Sequence, residues 1–267
     1  MKRIEQKFKT LQQHNQCAFI GYICAGDPNY QTSLEVIKQM PKNGVDIIEI
    51  GMPFSDPSGD GPIIENASKR AIANGMNLVK VLQLAKDFRK TDNNTPLVLM
   101  SYFNPLLKYG LERVFIDAWQ NGFDGILIVD LPYEEENEVV DFIKKSNLDF
   151  IRLIAPNSDD HRIKKIVKNA SGFIYLISML GITGTKQAVV EDNQKNVQRI
   201  KKISNLPIAI GFGIQNYDQA KQFAKIKADG VVIGSTIVKE ISKDFPEDQI
   251  IKNTIAVIKN FAKNIKA

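Results

Sequence analysis

The chain holds two cysteines, two histidines and one tryptophan in 267 residues, and each scarcity narrows what the protein can be. Cys17 and Cys24 lie seven residues apart in one apolar run, which as a strand separates them by roughly 23 Å at about 3.3 Å per residue. They cannot bond to each other, so no disulfide framework is expected. His14 and His161 fall in segments of helical period, which disfavours an imidazole electrophile or a metal site. Long hydrophobic runs are missing too: nothing approaches the roughly 18 apolar residues of a membrane span. The charged start MKRIEQKFKTLQQHN lacks the apolar core of a signal peptide, so a cytoplasmic location is expected. A net charge of +5 could point to nucleic acid. The lysines, however, come as scattered pairs (Lys144/Lys145, Lys164/Lys165, Lys201/Lys202) without aromatic interleaving, as on solvated helix faces.

No linker, low-complexity tract or shift of composition marks a boundary, so one domain spanning residues 1–267 is expected. What the sequence does contain is a regular alternation. Eight short apolar runs recur: Ala18 to Ile23, Asp46 to Ile50, Leu97 to Ser101, Gly125 to Val129, Phe150 to Ile154, Phe173 to Ile177, Ile208 to Gly211 and Val231 to Gly234. Helix-period segments lie between them, among them Tyr30 to Met40, Asn77 to Arg89, Glu134 to Lys145, Asp160 to Lys168, Asn193 to Ile203 and Asp218 to Ile226. Asp27-Pro28 fits an N-cap followed by proline in the first helical position, and Pro246-Glu247-Asp248 fits the start of a final helix. Ile4, Phe8 and Leu11 share one face of a leading helix. Strands alternating with helices pair in parallel through right-handed crossovers. An open doubly wound sheet is the alternative, but no G-x-G-x-x-G follows the first strand, and glycines and polar residues gather after many strands. The expected fold is a (β/α)8 barrel with an extra N-terminal helix at its bottom.

Barrel chemistry sits at the C-terminal strand ends. In Asp46-Ile47-Ile48-Glu49-Ile50, alternation puts Glu49 opposite Ile48 and Ile50, so it points into the mouth if those two face the helices. A carboxyl walled by apolar groups holds its proton near neutral pH and can act as acid, then base. The competing reading of Glu49 is a structural ion pair with a loop lysine. Asp60 follows eleven residues later in the loop Pro53 to Pro62, which can fold back over the mouth and deliver a second carboxylate. On sequence alone Asp60 is equally a turn residue in an Asp-Gly pair. Glycines then collect at adjacent strand ends: Gly181-Ile182-Thr183-Gly184, Gly211-Phe212-Gly213 and Gly234-Ser235. They let backbone N–H groups approach an anion, which points to a phosphate-bearing substrate. No strand end carries lysine, which disfavours a Schiff-base aldolase.

The run Glu49-Ile50-Gly51-Met52-Pro53-Phe54-Ser55-Asp56-Pro57 through Asp60-Gly61-Pro62 resembles the signature of tryptophan synthase alpha chains. The resemblance extends over essentially the whole chain, through Gly26-Asp27-Pro28, Tyr102-Phe103-Asn104-Pro105, Asp130-Leu131-Pro132 and the glycine motifs. It implies retro-aldol cleavage of indole-3-glycerol phosphate to indole and D-glyceraldehyde 3-phosphate in L-tryptophan biosynthesis, without Schiff base or metal. By this match Glu49 is the acid and base and Asp60 the partner of the indole N–H. Gly184, Gly213, Gly234 and Ser235 hold the phosphate, and Thr183 packs the closing loop against Asp60. Tyr175 stands near Glu49, and Tyr22, Met100, Tyr102, Leu127 and Val129 line the indole pocket.

The family also implies a beta chain partner in an alpha2-beta2 heterotetramer. Indole passes to that partner, which carries pyridoxal phosphate; this chain needs no cofactor. Asp56, Pro57, Asn104, Pro105 and Pro132 fall on the loops facing it. The chain departs from the family at Ser58-Gly59, Leu180 and Ile182. Gly59 widens the conformations open to the loop, so a less preorganised Asp60 is expected, as is higher turnover of the isolated chain on Gly59→Ala. A weakly catalytic activator of the beta chain and a stand-alone indole-releasing lyase are the rival readings; the first needs neither carboxylate.

Overall fold

The computed structural model describes residues 1–178 and 190–267. The β-branched runs form strands β1 (Ala18–Cys24), β2 (Ile47–Gly51), β3 (Leu97–Ser101), β4 (Gly125–Ile128), β5 (Asp149–Ile154), β6 (Ile174–Ile177), β7 (Ile208–Gly211) and β8 (Gly230–Ile233). Each pairs in parallel with the next, and β8 returns to β1 in the register Phe19↔Val231. That last pairing closes the barrel and excludes the open sheet. Tyr22 lies beside Glu49 and Glu49 beside Val98 across the first three strands. Every residue of β1 and β2 is buried, as strands covered on both faces require.

Around the barrel run α2 (Tyr30–Gln39), α3 (Pro62–Ala73), α4 (Leu78–Arg89), α5 (Phe103–Tyr109), α6 (Leu111–Gln120), α7 (Val140–Ser146), α8 (Asp160–Val167), α9 (Val190–Lys201), α10 (Tyr217–Lys225), α11 (Ser235–Ile241) and α12 (Glu247–Ile265). Asparagine and aspartate supply several starts: the side chains of Asn29, Asn77, Asp159 and Asn216 each accept the N–H three residues on. The expected Asp27 cap is corrected here. Asn29 caps α2, while Asp27, 1% exposed, takes a two-pronged pair of hydrogen bonds from Arg70 of α3 at 2.8 and 2.9 Å. The expected single helix from Glu134 to Lys145 is also two pieces, a 3-10 turn over Tyr133–Glu138 and then α7. The final helix buries Ile255, Ile258 and Ile265.

The leading helix α1 (Arg3–Gln13) covers the N-terminal end of the barrel. Its buried Phe8 meets Phe173 at 5.7 Å between ring centroids, and Ile4 reaches Gly125 at the start of β4. Polar ties hold the same end. Asp124 accepts from Arg3 at 2.8 Å, Arg89 at 2.7 Å and the Leu97 backbone N–H at 2.8 Å. With that end closed, the C-terminal end is where side chains open to a ligand.

Candidate active site

Alternation along β2 buries Ile48 and Ile50 completely and turns Glu49 toward the C-terminal mouth. There it lines one cavity with Tyr22, Asp60, Met100, Tyr175, Gly213, Gly234 and Ser235. Eight of the residues expected from sequence therefore converge from four strands, the loops after β2 and β7, and the start of α11. Glu49 is 1% exposed, and its Oε1 has no hydrogen-bond partner. Among the described residues the structural ion pair is not found: no lysine or arginine lies within salt-bridge distance of it. Burial without a cation disfavours the carboxylate, and the negative charge of nearby Asp60 adds to the effect, so the Glu49 pKa rises to about 8.

Asp60 is a turn residue, its N–H donating to the Pro57 carbonyl at 3.0 Å, and a site residue as well. Its Oδ2 accepts from the Tyr102 hydroxyl at 3.0 Å. Burial lifts its pKa to about 6, and that hydrogen bond opposes the rise. The two carboxyls thus have different surroundings: one is dry and unpartnered, the other partly exposed and hydrogen-bonded. Such a pair divides acid and base roles, Glu49 keeping its proton near neutral pH while Asp60 has lost its own.

Tyr102 does more than touch Asp60. Its oxygen also accepts the Gly59 N–H at 3.0 Å, and its ring lies 5.3 Å from that of Phe54. The loop after β2 is therefore latched to the end of β3 at three points. This corrects the expectation of a loose loop: a methyl on Gly59 would meet Val129 Cγ1 at 3.0 Å and the Tyr102 oxygen at 3.3 Å. Glycine serves close approach at this position.

Leu127 is fully buried on β4, and Val129 just beyond that strand is half-buried against Gly59. Gly51 and Gly211 leave room for the Tyr22 and Tyr175 hydroxyls, with which any side chain there would collide. Also lining the cavity, Phe212 and Gly213 both take left-handed backbone at φ 74°. Gly234 and Ser235 open α11, whose first N–H groups have no helical acceptor.

Thr183 and Gly184 lie outside the described residues. The sequence reading missed Ile64, Phe212, Ile214 and Val232, which line the same cavity. Val232 was within reach, two residues before Gly234 on the same face of β8; Ile64 on α3 carries no local signal. On the rim, Asp56, Asn104 and Pro132 are exposed and Pro57 and Pro105 half-buried. The Phe103 N–H at the start of α5 donates to Asp130 Oδ1 at 2.7 Å, tying together the loops that carry Asn104 and Pro132.

The sequence model of the family described as tryptophan synthase alpha chain matches residues 8–266. The chain belongs to the tryptophan synthase alpha chain family. Solved structures agree over full length. The tryptophan synthase alpha subunit of Legionella pneumophila str. Paris is 32% identical with a TM-score of 0.92, over 99% of this chain and 98% of that one. A protein of Aquifex aeolicus VF5 is 35% identical with a TM-score of 0.91, over all of both chains. A tryptophan synthase structure from Mycobacterium tuberculosis is 30% identical with a TM-score of 0.89, over 100% and 99%. Membership in the tryptophan synthase alpha family makes the chain a lyase. The family reaction, cleavage of indole-3-glycerol phosphate to indole and D-glyceraldehyde 3-phosphate, is the reaction of this chain, and a beta chain partner goes with it. Among the described residues no helix is long and apolar enough to cross a membrane.

Proposed function

We propose that Glu49 and Asp60 carry the cleavage, with no Schiff base, metal or cofactor on this chain. The reading rests on one observation above others: a carboxyl 1% exposed, lacking a hydrogen-bond partner, in one cavity with a second, hydrogen-bonded carboxyl. Neutral Glu49 donates its proton to C3 of the indole ring, which makes the bond from C3 to the glycerol carbon labile. Positive charge develops on the ring nitrogen, and ionised Asp60, held by Tyr102, accepts the indole N–H and stabilises that charge. As the bond breaks, its electrons return to the ring. The glycerol hydroxyl next to it becomes the aldehyde and passes its proton to the Glu49 carboxylate. Glu49 ends as it began, so the cycle closes without a redox partner.

The substrate phosphate fits the N–H groups at Gly213, Gly234 and Ser235, with Gly184 and Thr183 assigned to the same end by the family match. Tyr22, Met100, Tyr102, Leu127, Val129 and Tyr175 surround the indole. The whole chain acts as one catalytic domain in the cytoplasm. Its Asp56, Pro57, Asn104, Pro105 and Pro132 loops meet the beta chain in an alpha2-beta2 heterotetramer, and indole passes through a tunnel to the pyridoxal phosphate held by that partner.

Indole release by the parent, Glu49→Gln and Asp60→Asn, each with and without a beta chain, tests the reading. The parent should turn over, the partner should accelerate it, and both variants should fall by about a hundredfold or more, as loss of an acid–base group does. A parent that binds the beta chain yet releases no indole would leave the activator reading in its place.

A further inference from the structure

Beside the proposed indole pocket, the strongest unassigned feature is a cavity of about 380 Å³ at the C-terminal ends of β4 and β5, covered by the loop from Asp130 to Tyr133 and by α8. Its size falls within the roughly 300–1,000 Å³ of small-molecule pockets. Ile128, Leu131 and Ile166 give it apolar walls, and Arg152, Arg162 and Tyr133 supply its polar groups.

Arg152 is the anomaly. It is only 4% exposed, yet its guanidinium makes no hydrogen bond to any described residue. Its nearest acid is Glu136, at 3.6 Å from Nη2 to Oε2, beyond hydrogen-bond range. That same Oε2 is buried without a hydrogen-bond partner, while Oε1 is taken by Asn169 at 2.6 Å. One face of the guanidinium stacks on Phe150 at 4.6 Å, which leaves the N–H edge free. Arg162 is accounted for by contrast: it donates to Glu134 at 2.8 and 3.3 Å and covers the Tyr133 ring. Burial lowers the Arg152 pKa and Glu136 opposes the fall, so the group stays cationic, largely buried and short of protein acceptors. A desolvated guanidinium costs stability unless an acceptor meets its fork.

We propose that this cavity is a second ligand site, binding a small carboxylate with an apolar or aromatic body, its carboxylate on Arg152. A carboxylate matches the two-pronged N–H edge. A phosphate dianion is disfavoured, because Glu136 already lies 3.6 Å from Arg152 and offsets part of its charge. The site adjoins the barrel mouth, sharing Val129 with the proposed indole pocket and Pro132 with the proposed beta-chain face, but its ligand chemistry rests on Arg152 and not on the reaction performed at the mouth.

The test follows the Arg152 Nε–Hε resonance of the full chain by NMR while 4-phenylbutyrate is added, with 4-phenylbutanamide and inorganic phosphate as comparisons. The acid should move the resonance saturably, and the amide and phosphate should not. Two variants report on affinity by calorimetry. Arg152→Met with Glu136→Gln removes both charges together, and Ile166→Trp fills the cavity while leaving the ion pair. Both should weaken the acid at least about tenfold, the loss expected for one charge-assisted contact pair. The proposal is overturned if the amide binds as tightly as the acid, or if acid binding survives in both variants. It is equally overturned if the resonance stays still with the acid and moves only when the beta chain is added, since the cavity would then be a protein contact.

Discussion

At the scale of single residues, the account turns on two carboxyls and one phenol. Glu49 is raised to about 8 and Asp60 to about 6, so the active form, neutral Glu49 with ionised Asp60, exists between those values. The pH profile of kcat/KM should therefore be a bell with limbs near these pKa values, measured by indole release; a flat profile from pH 5 to 9 would contradict it. Glu49 also links pH to stability. Its folded pKa lies above its unfolded value of 4.5, so the stability it contributes is full below about 4.5 and is lost as pH rises through about 8. Glu49→Gln should accordingly leave the melting temperature unchanged at pH 4 and raise it above the parent at pH 8. Tyr102→Phe removes the hydroxyl shared by Asp60 and the Gly59 N–H. The lost hydrogen bond should move the acid limb upward and lower kcat/KM by about tenfold, equivalent to about 1.4 kcal/mol.

At the scale of elements, the loop after β2 is set by what it leans on. Gly59→Ala should lower activity by displacing Tyr102 and Val129, each within 3.3 Å of the added methyl. An increase in turnover of the isolated chain would restore the loose-loop reading. The leading helix α1 answers to stability alone. Phe8→Ala, removing a ring 6% exposed against Phe173, should cost about 3–5 kcal/mol in urea unfolding and leave kcat unchanged. Strands were the elements most readable from sequence, because a strand buried on both faces is a β-branched run whatever surrounds it. Helices were less so. The break at Val139 follows from Glu136 turning inward toward Arg152, sixteen residues away, a pairing with no local trace. α3 was missed because its buried face is Ile64, Ala67, Ser68 and Ala71, too small and mixed for a clear apolar period.

At the scale of the whole molecule, labour is divided between the two ends of the barrel. The bottom gathers paired charges, with Asp124 holding Arg3 and Arg89, and these serve cohesion. The mouth gathers groups whose charges are unmatched or shifted, which costs stability and serves chemistry. The two carboxyls proposed to carry the reaction were legible because strand alternation turns Glu49 toward the mouth and the family motif points to Asp60. Tyr102 as a latch and Ile64 as a wall were not, since both act across contacts between distant segments. The central claim is that Glu49 is stored as a neutral acid beside an ionised aspartate. A carbon-13 NMR titration of the Glu49 carboxyl in the intact chain tests it most directly. A midpoint near 8, falling when Asp60 is changed to Asn, is the predicted result; a midpoint at or below 4.5 would mean that Glu49 is already ionised at neutral pH and cannot be the acid.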